Sequence, residues 1–160
     1  MSESSATAPS PIGDLVLTAE SSHLTGLYLP GQRRPAVMPP ASAEPDDALL
    51  AAARRQLGEY FAGLRTAFDL PLAPAGTAFR RLVWDELLRI GFGETTTYRE
   101  LAARIGRPTA VRATGAANGA NPISIVIPCH RVVGSGGALT GYGGGLGAKR
   151  FLLDLERSRG

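Results

Sequence analysis

The chain has 160 residues and is 44% hydrophobic, enough for one ordinary domain or for two small lobes that share an interface. No apolar run approaches the roughly 20 residues that a membrane-spanning helix needs, and the Ser/Ala/Thr-rich start lacks the basic region of a secretory signal. These features exclude a membrane-spanning protein and predict a soluble, cytoplasmic one. Because Cys129 is the only cysteine, an internal disulfide and a multi-cysteine zinc site are also excluded.

Charge is distributed unevenly along the chain. Residues 1–75 carry 5 Arg and 8 Asp or Glu, a balance of −3, whereas residues 76–160 carry 12 Lys or Arg and 6 Asp or Glu, a balance of +6. A basic second half predicts contact with a polyanion. Charge alone also fits an alternative, in which the charges are unevenly distributed over a surface that contacts only solvent.

The first half is predicted to combine strands with one helix. Residues 12–17 and 24–29 are rich in branched residues and flank a turn, which predicts a β-hairpin. Residues 30–45 contain five prolines and predict an irregular connection. Helical spacing of apolar residues predicts a helix over 46–61. Residues 68–72 are a candidate for one more strand before the break at 74–76.

The second half is predicted to be mostly helical. An apolar stripe predicts a helix over 77–90, and Thr97 with Glu100 fits a capping box that opens a helix over 98–105. A glycine-containing turn separates that helix from another over 109–118, which is the pattern of a helix-turn-helix. The latter helix consists of small residues, with Arg112 as its one large side chain. It is therefore suited to close approach to another surface, or to tight packing against a neighbouring helix.

A buried-type strand is predicted over 123–127, running directly into Pro128-Cys129-His130-Arg131. The following loop, residues 134–145, contains seven glycines and is interpreted as a mobile or close-approach loop. An amphipathic helix over 149–157 closes the chain, with three apolar side chains predicted to point inward: Phe151, Leu152 and Leu155.

The Cys129–His130 pair is a candidate catalytic site. A thiolate is the reactive form of cysteine, so an adjacent base that takes the thiol proton is what nucleophilic chemistry requires. A carboxylate behind the base would orient it. Asp154 and Glu156 are available near the C-terminus, with other acids more remote, and spacing does not choose between them.

Residues 127–132, Ile-Pro-Cys-His-Arg-Val, resemble the active-site signature of the O6-alkylguanine-DNA alkyltransferases, also called methylated-DNA–protein-cysteine methyltransferases. The likeness extends through four further blocks in the same order: YRELA at 98–102, AVRA at 110–113, NGANP at 118–122 and GYGGG at 141–145. It covers essentially all of residues 76–160, and PIGDL at 11–15 resembles the family's N-terminal domain. A lone PCHR would be moderately specific, whereas five ordered blocks are strongly specific.

The resemblance implies a two-domain fold. Residues 1–75 would form an α/β N-terminal domain, a ribonuclease H-like small sheet with a helix. Residues 76–160 would form a mainly α, winged helix-turn-helix C-terminal domain that is both catalytic and DNA-binding. No cofactor is implied. Some family members bind zinc in the N-terminal domain through Cys and His, but no metal site is expected here because Cys129 is the only cysteine.

The resemblance also implies a mechanism. An O6-alkylguanine is flipped out of duplex DNA and its alkyl group is transferred irreversibly to Cys129, in a single turnover. His130 would take the thiol proton through a water and be polarised by Glu156. Asn121 would brace the site by hydrogen bonding, and Tyr98 would donate a hydrogen bond to the guanine so that it leaves as a neutral base.

The remaining expected contacts concern the pocket and the DNA. The carbonyls of Cys129 and Val132 would accept from the guanine amino group, while Tyr142 and the glycine loop would wall the pocket. Gly143 stands where family members often carry serine, which predicts a more mobile loop. Arg112 would fill the gap left by the flipped base, and three further residues are expected at the DNA: Ala110, Ala113 and Thr97.

The implied partner is double-stranded DNA, contacted through its minor groove without sequence preference, and no membrane. Acceptance of O4-alkylthymine and cooperative self-association on DNA stay open. One alternative is an alkyltransferase-like protein that binds damage without transfer, but such relatives lack the acceptor cysteine. Another is a helix-turn-helix transcription factor, but these present long polar side chains to base edges, and 109–118 offers only Arg112 and Asn118.

Overall fold

A computed structural model describes residues 3–41 and 46–159. The strands in these ranges are β1 (Ser4–Ala8), β2 (Leu15–Glu20), β3 (His23–Tyr28), β4 (Thr96–Thr97) and β5 (Val132–Val133). The α-helices are α1 (Asp46–Phe61), α2 (Ala78–Leu87), α3 (Tyr98–Arg104), α4 (Val111–Gly119) and α5 (Leu146–Arg159). Within the described ranges, no helix combines the length and the apolar character needed to cross a membrane.

The N-terminal half is an antiparallel sheet of order β1-β2-β3 with α1 packed against it. Ser21 and Ser22 connect β2 to β3 with φ values of 52° and 61°, the left-handed geometry of a tight hairpin turn. The predicted hairpin and the predicted bounds of α1 are confirmed. Strand β1 was not predicted, because its two fully buried side chains, Ser4 and Ala8, are too small to give an apolar pattern.

The strand considered for residues 68–72 does not form. Only Leu72 bridges to the sheet, pairing with Leu24. Leu24 N–H donates to the carbonyl of Pro71 at 2.8 Å, and its carbonyl accepts from Ala73 N–H at 2.8 Å. Prolines at 71 and 74 remove the backbone donors that a longer ladder would need.

The helix-turn-helix is present as α3 and α4. The hydroxyl oxygen of Thr97 accepts the backbone N–H of Glu100 at 3.1 Å, so the predicted cap of α3 is confirmed. Gly106 ends this helix with a φ of 76°. The packing interpretation of α4 is confirmed on one face, where Ala117 packs inward and its carbonyl accepts from Trp84 Nε1 at 2.9 Å. Arg112 lies on an exposed face, and close approach of that face to another surface stays a prediction.

The predicted strand over 123–127 is wrong. Ile123 makes a single bridge to Leu27, and Ile125 then adopts a φ of 72°, which reverses the chain. A β-branched residue is strained in this left-handed region, but Ile125 is only 1% exposed and is held within the apolar core. An apolar run has the same composition in a buried turn as in a strand, so sequence alone could not distinguish them.

The inward face of α5 also differs from the prediction. Leu152 is buried as expected, but Phe151 is 38% exposed. The helix instead buries Lys149 and Glu156. Residues 149, 152, 153 and 156 share one helical face. The prediction missed this face because charged residues are ordinarily expected to be exposed to solvent. One apolar core runs through both halves of the chain, and examples of its members are Leu27, Tyr60, Trp84, Ile127 and Leu152.

Asp46 ties the N-terminal elements together, and its loss should destabilise the fold. It is 2% exposed, accepts from Ser4 Oγ at 3.0 Å and accepts from Ser22 N–H at 2.8 Å. We expect Asp46→Ala to lower the free energy of unfolding in urea by about 1–3 kcal/mol because both hydrogen bonds are lost. Asp47→Ala, at an exposed position in the same helical turn, should change it by less than about 0.5 kcal/mol. Equal effects would contradict an anchoring role for Asp46.

Candidate active site

Cys129 begins the 3-10 turn Cys129–Arg131, directly after Pro128, and is 5% exposed. Its backbone N–H donates to the carbonyl of Ile127 at 2.8 Å. Burial raises the pKa of the Cys129 thiol, and a hydrogen bond from Asn121 and the charge of Lys149 only partly oppose that rise. The resting residue is therefore a thiol, and its use as a nucleophile requires a base.

Asn121 spans the reversal that delivers Cys129. Its Nδ2 donates to the carbonyl of Ile127 at 2.7 Å, and its Oδ1 accepts from the N–H of Ile123 at 3.0 Å. Both bonds are buried, and they clamp the two ends of the apolar run around Ile125. Asn121 thus lies where a bracing residue is needed.

His130 and Glu156 form a buried pair. Nε2 of His130 lies 2.7 Å from Oε2 of Glu156, and the two side chains are 0% and 1% exposed. Of the two acids left open near the C-terminus, Glu156 contacts the histidine, whereas Asp154 is 61% exposed. Burial would raise the pKa of Glu156, but hydrogen bonds from His130 and Arg131, together with the charge of Arg131, lower it to about 2.

These protonation states fix the role of each imidazole nitrogen. An ionised carboxylate can only accept, so Nε2 of His130 is the donor and Nδ1 carries the free lone pair. Nδ1 is buried and has no hydrogen-bond partner among the described residues. Burial also lowers the pKa of His130, although Glu156 opposes this effect. The ring is therefore neutral near pH 7 and able to take a proton.

Three donors to Glu156 were not predicted from the sequence. Arg131 contacts both carboxylate oxygens, through Nε at 2.8 Å and Nη2 at 3.0 Å, a bidentate arrangement. Tyr60, from α1, donates its hydroxyl to Oε2 at 2.5 Å. The N–H of Gly93 lies 3.4 Å from Oε1. Arg131 belongs to the PCHR motif and could have been included, but nothing local distinguishes Tyr60 from an ordinary core aromatic.

Lys149 is another buried group that sequence reasoning missed. It is 0% exposed, and its Nζ donates to the carbonyl of Val132 at 2.7 Å and to that of Thr140 at 3.1 Å. Thr140 in turn shares a 2.8 Å hydrogen bond with the hydroxyl of Tyr98. These contacts join the glycine loop to β5 and to α3. The available signal was that Lys149 is the only lysine in a chain whose other basic residues are all arginine.

The glycine loop lies against the N-terminal half. A Cβ on Gly144 would fall 2.6 Å from Cδ2 of Leu29, and one on Gly143 would fall 3.1 Å from Cγ of Gln32. The close-approach interpretation of this loop is confirmed at Gly144, where no larger residue fits without displacement. The hydroxyl oxygen of Tyr142 is buried and has no hydrogen-bond partner among the described residues, and this burial raises the pKa of Tyr142.

The residues expected at the DNA lie on or beside the helix-turn-helix. Arg112 and Ala113 are exposed on α4, and Ala110 precedes it at a half-buried position. Within the described ranges, the side chain of Arg112 makes no ion pair or hydrogen bond. Thr97 is half-buried, and its hydroxyl caps α3. The buried face of the same α4 reaches the cysteine, since Nδ2 of Asn118 lies 3.5 Å from the carbonyl of Cys129.

Two family models match the chain, and together they cover nearly all of it. The ribonuclease-like domain of 6-O-methylguanine DNA methyltransferase matches residues 5–74, and the DNA binding domain of the same proteins matches residues 78–158. The chain belongs to the 6-O-methylguanine DNA methyltransferase family.

Individual relatives agree with this assignment. The methylated-DNA–protein-cysteine methyltransferase of Mycobacterium tuberculosis is 49% identical over 155 residues, 96% of this chain and 92% of that protein. The protein of the same name from Methanosarcina barkeri is 49% identical over 150 residues, 93% of this chain and 94% of the relative. Among solved structures, Mycobacterium tuberculosis OGT in complex with DNA superposes with a TM-score of 0.87 at 49% identity, covering 96% of this chain and 92% of that one.

The 6-O-methylguanine DNA methyltransferase assignment confirms the family and the fold class expected from the sequence. A small sheet with a helix forms the ribonuclease-like part, and helices with a short parallel β4-β5 pair form the DNA-binding part. An O6-methylguanine DNA methyltransferase from Methanococcus jannaschii keeps this fold at 26% identity, with a TM-score of 0.65 over 95% of this chain and 93% of that one. The roles of individual site residues stay predictions.

The lowered pKa of Glu156 predicts a pH-dependent contribution to stability. Its pKa falls from an ordinary 4.5 to about 2 on folding, so the stabilisation is complete above the ordinary value and is lost as the pH drops toward 2. The difference in unfolding free energy between the wild type and Glu156→Gln should therefore be largest above about pH 5 and shrink below it. Chemical denaturation at several pH values measures this difference.

Asp154→Asn is the matched control on the same helix, because Asp154 is 61% exposed. It should stay within about 0.5 kcal/mol of the wild type at each pH. A difference for Glu156→Gln that does not depend on pH would contradict an ionised, hydrogen-bonded Glu156.

Proposed function

We propose that Cys129 is the acceptor to which the alkyl group of O6-alkylguanine in DNA is transferred. The chain is a DNA-repair enzyme of the methylated-DNA–protein-cysteine methyltransferase family. Cys129 is its only cysteine. That single observation carries the assignment: proteins of this family accept the alkyl group on a cysteine, and this chain has no cysteine other than Cys129. The alternative of binding damage without transfer is not favoured.

The reaction we propose begins with two neutral groups. Nδ1 of His130 takes the proton of the Cys129 thiol through one bridging water, and the ionised Glu156 stabilises the imidazolium that forms. The thiolate sulfur attacks the alkyl carbon, so an S–C bond forms as the bond from that carbon to O6 breaks. The electron pair of the broken bond stays on the guanine. Tyr98 gives its hydroxyl proton to the departing base, so that a neutral guanine leaves. The proton that His130 took from the thiol then returns through water to Tyr98, so that His130, Tyr98 and the guanine all end neutral.

The protein is consumed in this reaction. The product is a thioether on Cys129, and no group at the site offers a route back to the thiol. One molecule therefore repairs one lesion.

For the substrate pocket, we propose that the carbonyls of Cys129 and Val132 accept hydrogen bonds from the guanine amino group. The Val132 carbonyl already accepts from Lys149 at 2.7 Å, but a carbonyl has two lone pairs and can accept twice. Tyr142 and Gly143 would line the space around the alkyl group. Because Cys129 is only 5% exposed, entry of a base requires the surroundings of the thiol to open, and we propose that the glycine loop, residues 134–145, is the part that moves.

For DNA binding, we propose that the exposed face of α4 enters the minor groove, without sequence preference. Its side chains there are small, so the backbone can approach closely, and Arg112 projects from this face to occupy the space of the extruded base. Extrusion costs a few kcal/mol of stacking and pairing, and a planar guanidinium replaces part of the lost stacking. Other residues proposed at the DNA are Ala110, Ala113 and Thr97.

The domain boundary and the cellular location stay predictions. A boundary between domains of residues 1–75 and 76–160 agrees with family matches that end at 74 and begin at 78. A cytoplasmic location is a further expectation from the sequence, whereas acceptance of O4-alkylthymine and cooperative self-association on DNA are left open by it.

The acceptor assignment is tested by intact mass and peptide mapping. After incubation with duplex DNA that contains one O6-methylguanine, the wild type should gain the mass of one methylene, located on Cys129 and saturating at one equivalent. Cys129→Ser should gain no mass and still bind the DNA. Tight binding by the wild type without a mass change would instead indicate a damage-binding protein, and transfer by the serine variant would overturn the mechanism.

The role of Arg112 is tested by comparing two substrates. Arg112→Ala should slow repair of duplex DNA by about 10- to 100-fold, because extrusion costs a few kcal/mol and each 1.36 kcal/mol is tenfold in rate. Reaction with free O6-alkylated guanine, which needs no extrusion, should change by less than about threefold on the same argument. Arg157→Ala, at another exposed arginine, is the control for lost charge. Equal loss on both substrates would contradict the proposed role.

A further inference from the structure

We propose that Tyr60, on α1 of the N-terminal half, is a positioning residue for the pair formed by His130 and Glu156. The N-terminal half would then act in alkyl transfer itself, beyond supporting the fold. The inference rests on the proposed function, in which His130 is the base for Cys129.

The geometry that carries the proposal is a shared oxygen. The hydroxyl of Tyr60 lies 2.5 Å from Oε2 of Glu156, the same atom that lies 2.7 Å from Nε2 of His130. Tyr60 is 1% exposed. Burial and the negative charge of Glu156 both raise the pKa of Tyr60, so the phenol keeps its proton and is the donor in this bond.

A donor at Oε2 tunes the basicity of His130. Each hydrogen bond to a carboxylate oxygen withdraws negative charge from it, and less charge at Oε2 means weaker stabilisation of a protonated His130. Arg131 also reaches Oε2, at 3.0 Å, so Tyr60 is the second of two donors that compete with His130. It therefore helps to keep His130 neutral at rest and to keep the carboxylate aimed at the ring.

The Tyr60 ring is held by aromatic neighbours from both halves of the chain. Its centroid lies 5.4 Å from that of Phe68 and 6.2 Å from that of Phe92. Phe92 immediately precedes Gly93, whose N–H faces the other oxygen of Glu156 at 3.4 Å. A tyrosine that served packing alone would need only some polar partner for its hydroxyl. Here that partner is the ionised acid behind the proposed base.

The matched pair of variants is Tyr60→Phe, which removes only the hydroxyl, and Phe68→Leu, which loosens the same aromatic cluster without touching a hydrogen bond. The chain has two histidines, His23 and His130. Isotope labelling of histidine therefore gives two ring signals by NMR in the unreacted protein. The exposed His23 serves as the internal reference.

We expect the apparent pKa of His130 to rise by about one pH unit in Tyr60→Phe, which corresponds to the loss of one hydrogen bond to a charged group. Phe68→Leu should leave it at the wild-type value. In single-turnover alkyl transfer, the pH below which the rate falls should move up by the same amount. The rates of the wild type and Tyr60→Phe at pH 8 should differ by less than about threefold, since His130 is then neutral in both.

Replacing Tyr60 with 3-fluorotyrosine restores a donor and should restore the wild-type titration and pH profile. An unchanged His130 titration in Tyr60→Phe, or a shift equal to that of Phe68→Leu, would overturn the proposal. The two proposals fail separately. A wild type that transfers no alkyl group would end the proposed function, whereas the titration of His130 tests the effect of Tyr60 with no transfer at all.

Discussion

Most of the site depends on the hydrogen bonds that the buried Glu156 carboxylate accepts. It is 1% exposed and ionised, and an isolated charge in such a place would be strongly destabilising. Its donors come from separate parts of the chain: Tyr60 on α1, Gly93 after α2, and His130 and Arg131 in the turn that holds the cysteine. Satisfying this one charge therefore fastens the N-terminal half to the C-terminal half and fixes the orientation of the turn at Cys129.

Burial keeps Cys129 and His130, the pair that we propose to react, neutral at rest. The same low-polarity surroundings raise the pKa of Cys129 and lower the pKa of His130, so neither group carries charge at rest. An ion pair between them would form only when the proton moves, and the already ionised Glu156 stabilises it without reorganisation. The strained φ of 72° at Ile125 is maintained by the core and by the two hydrogen bonds of Asn121. These contacts hold the chain reversal that leads into the turn at Cys129.

Sequence reasoning succeeded where the signal is local. The bounds of α1, the hairpin and the Thr97 cap follow from spacing and capping chemistry within a few residues. It failed at 123–127 because an apolar run does not reveal a residue with positive φ, and on α5 because Lys149 and Glu156 are buried charges whose partners lie elsewhere. Motif likeness named Cys129, His130 and Glu156, but Tyr60 lies 96 residues from Glu156 in the chain, and no local pattern marks such a contact.

Helix α4 links the proposed DNA surface to the thiol through one rigid element. Arg112 is exposed on one face, whereas Asn118 on the buried face lies 3.5 Å from the Cys129 carbonyl, and Ala117 accepts from Trp84 in the core. A helix that meets the duplex on one side and the active-site turn on the other sets the distance between them without a flexible joint. The glycine loop, residues 134–145, is attached to this site by Lys149 and by the Tyr98–Thr140 contact. In the reaction we propose, a base would be admitted by displacement of this loop, while the nucleophile stays fixed relative to α4.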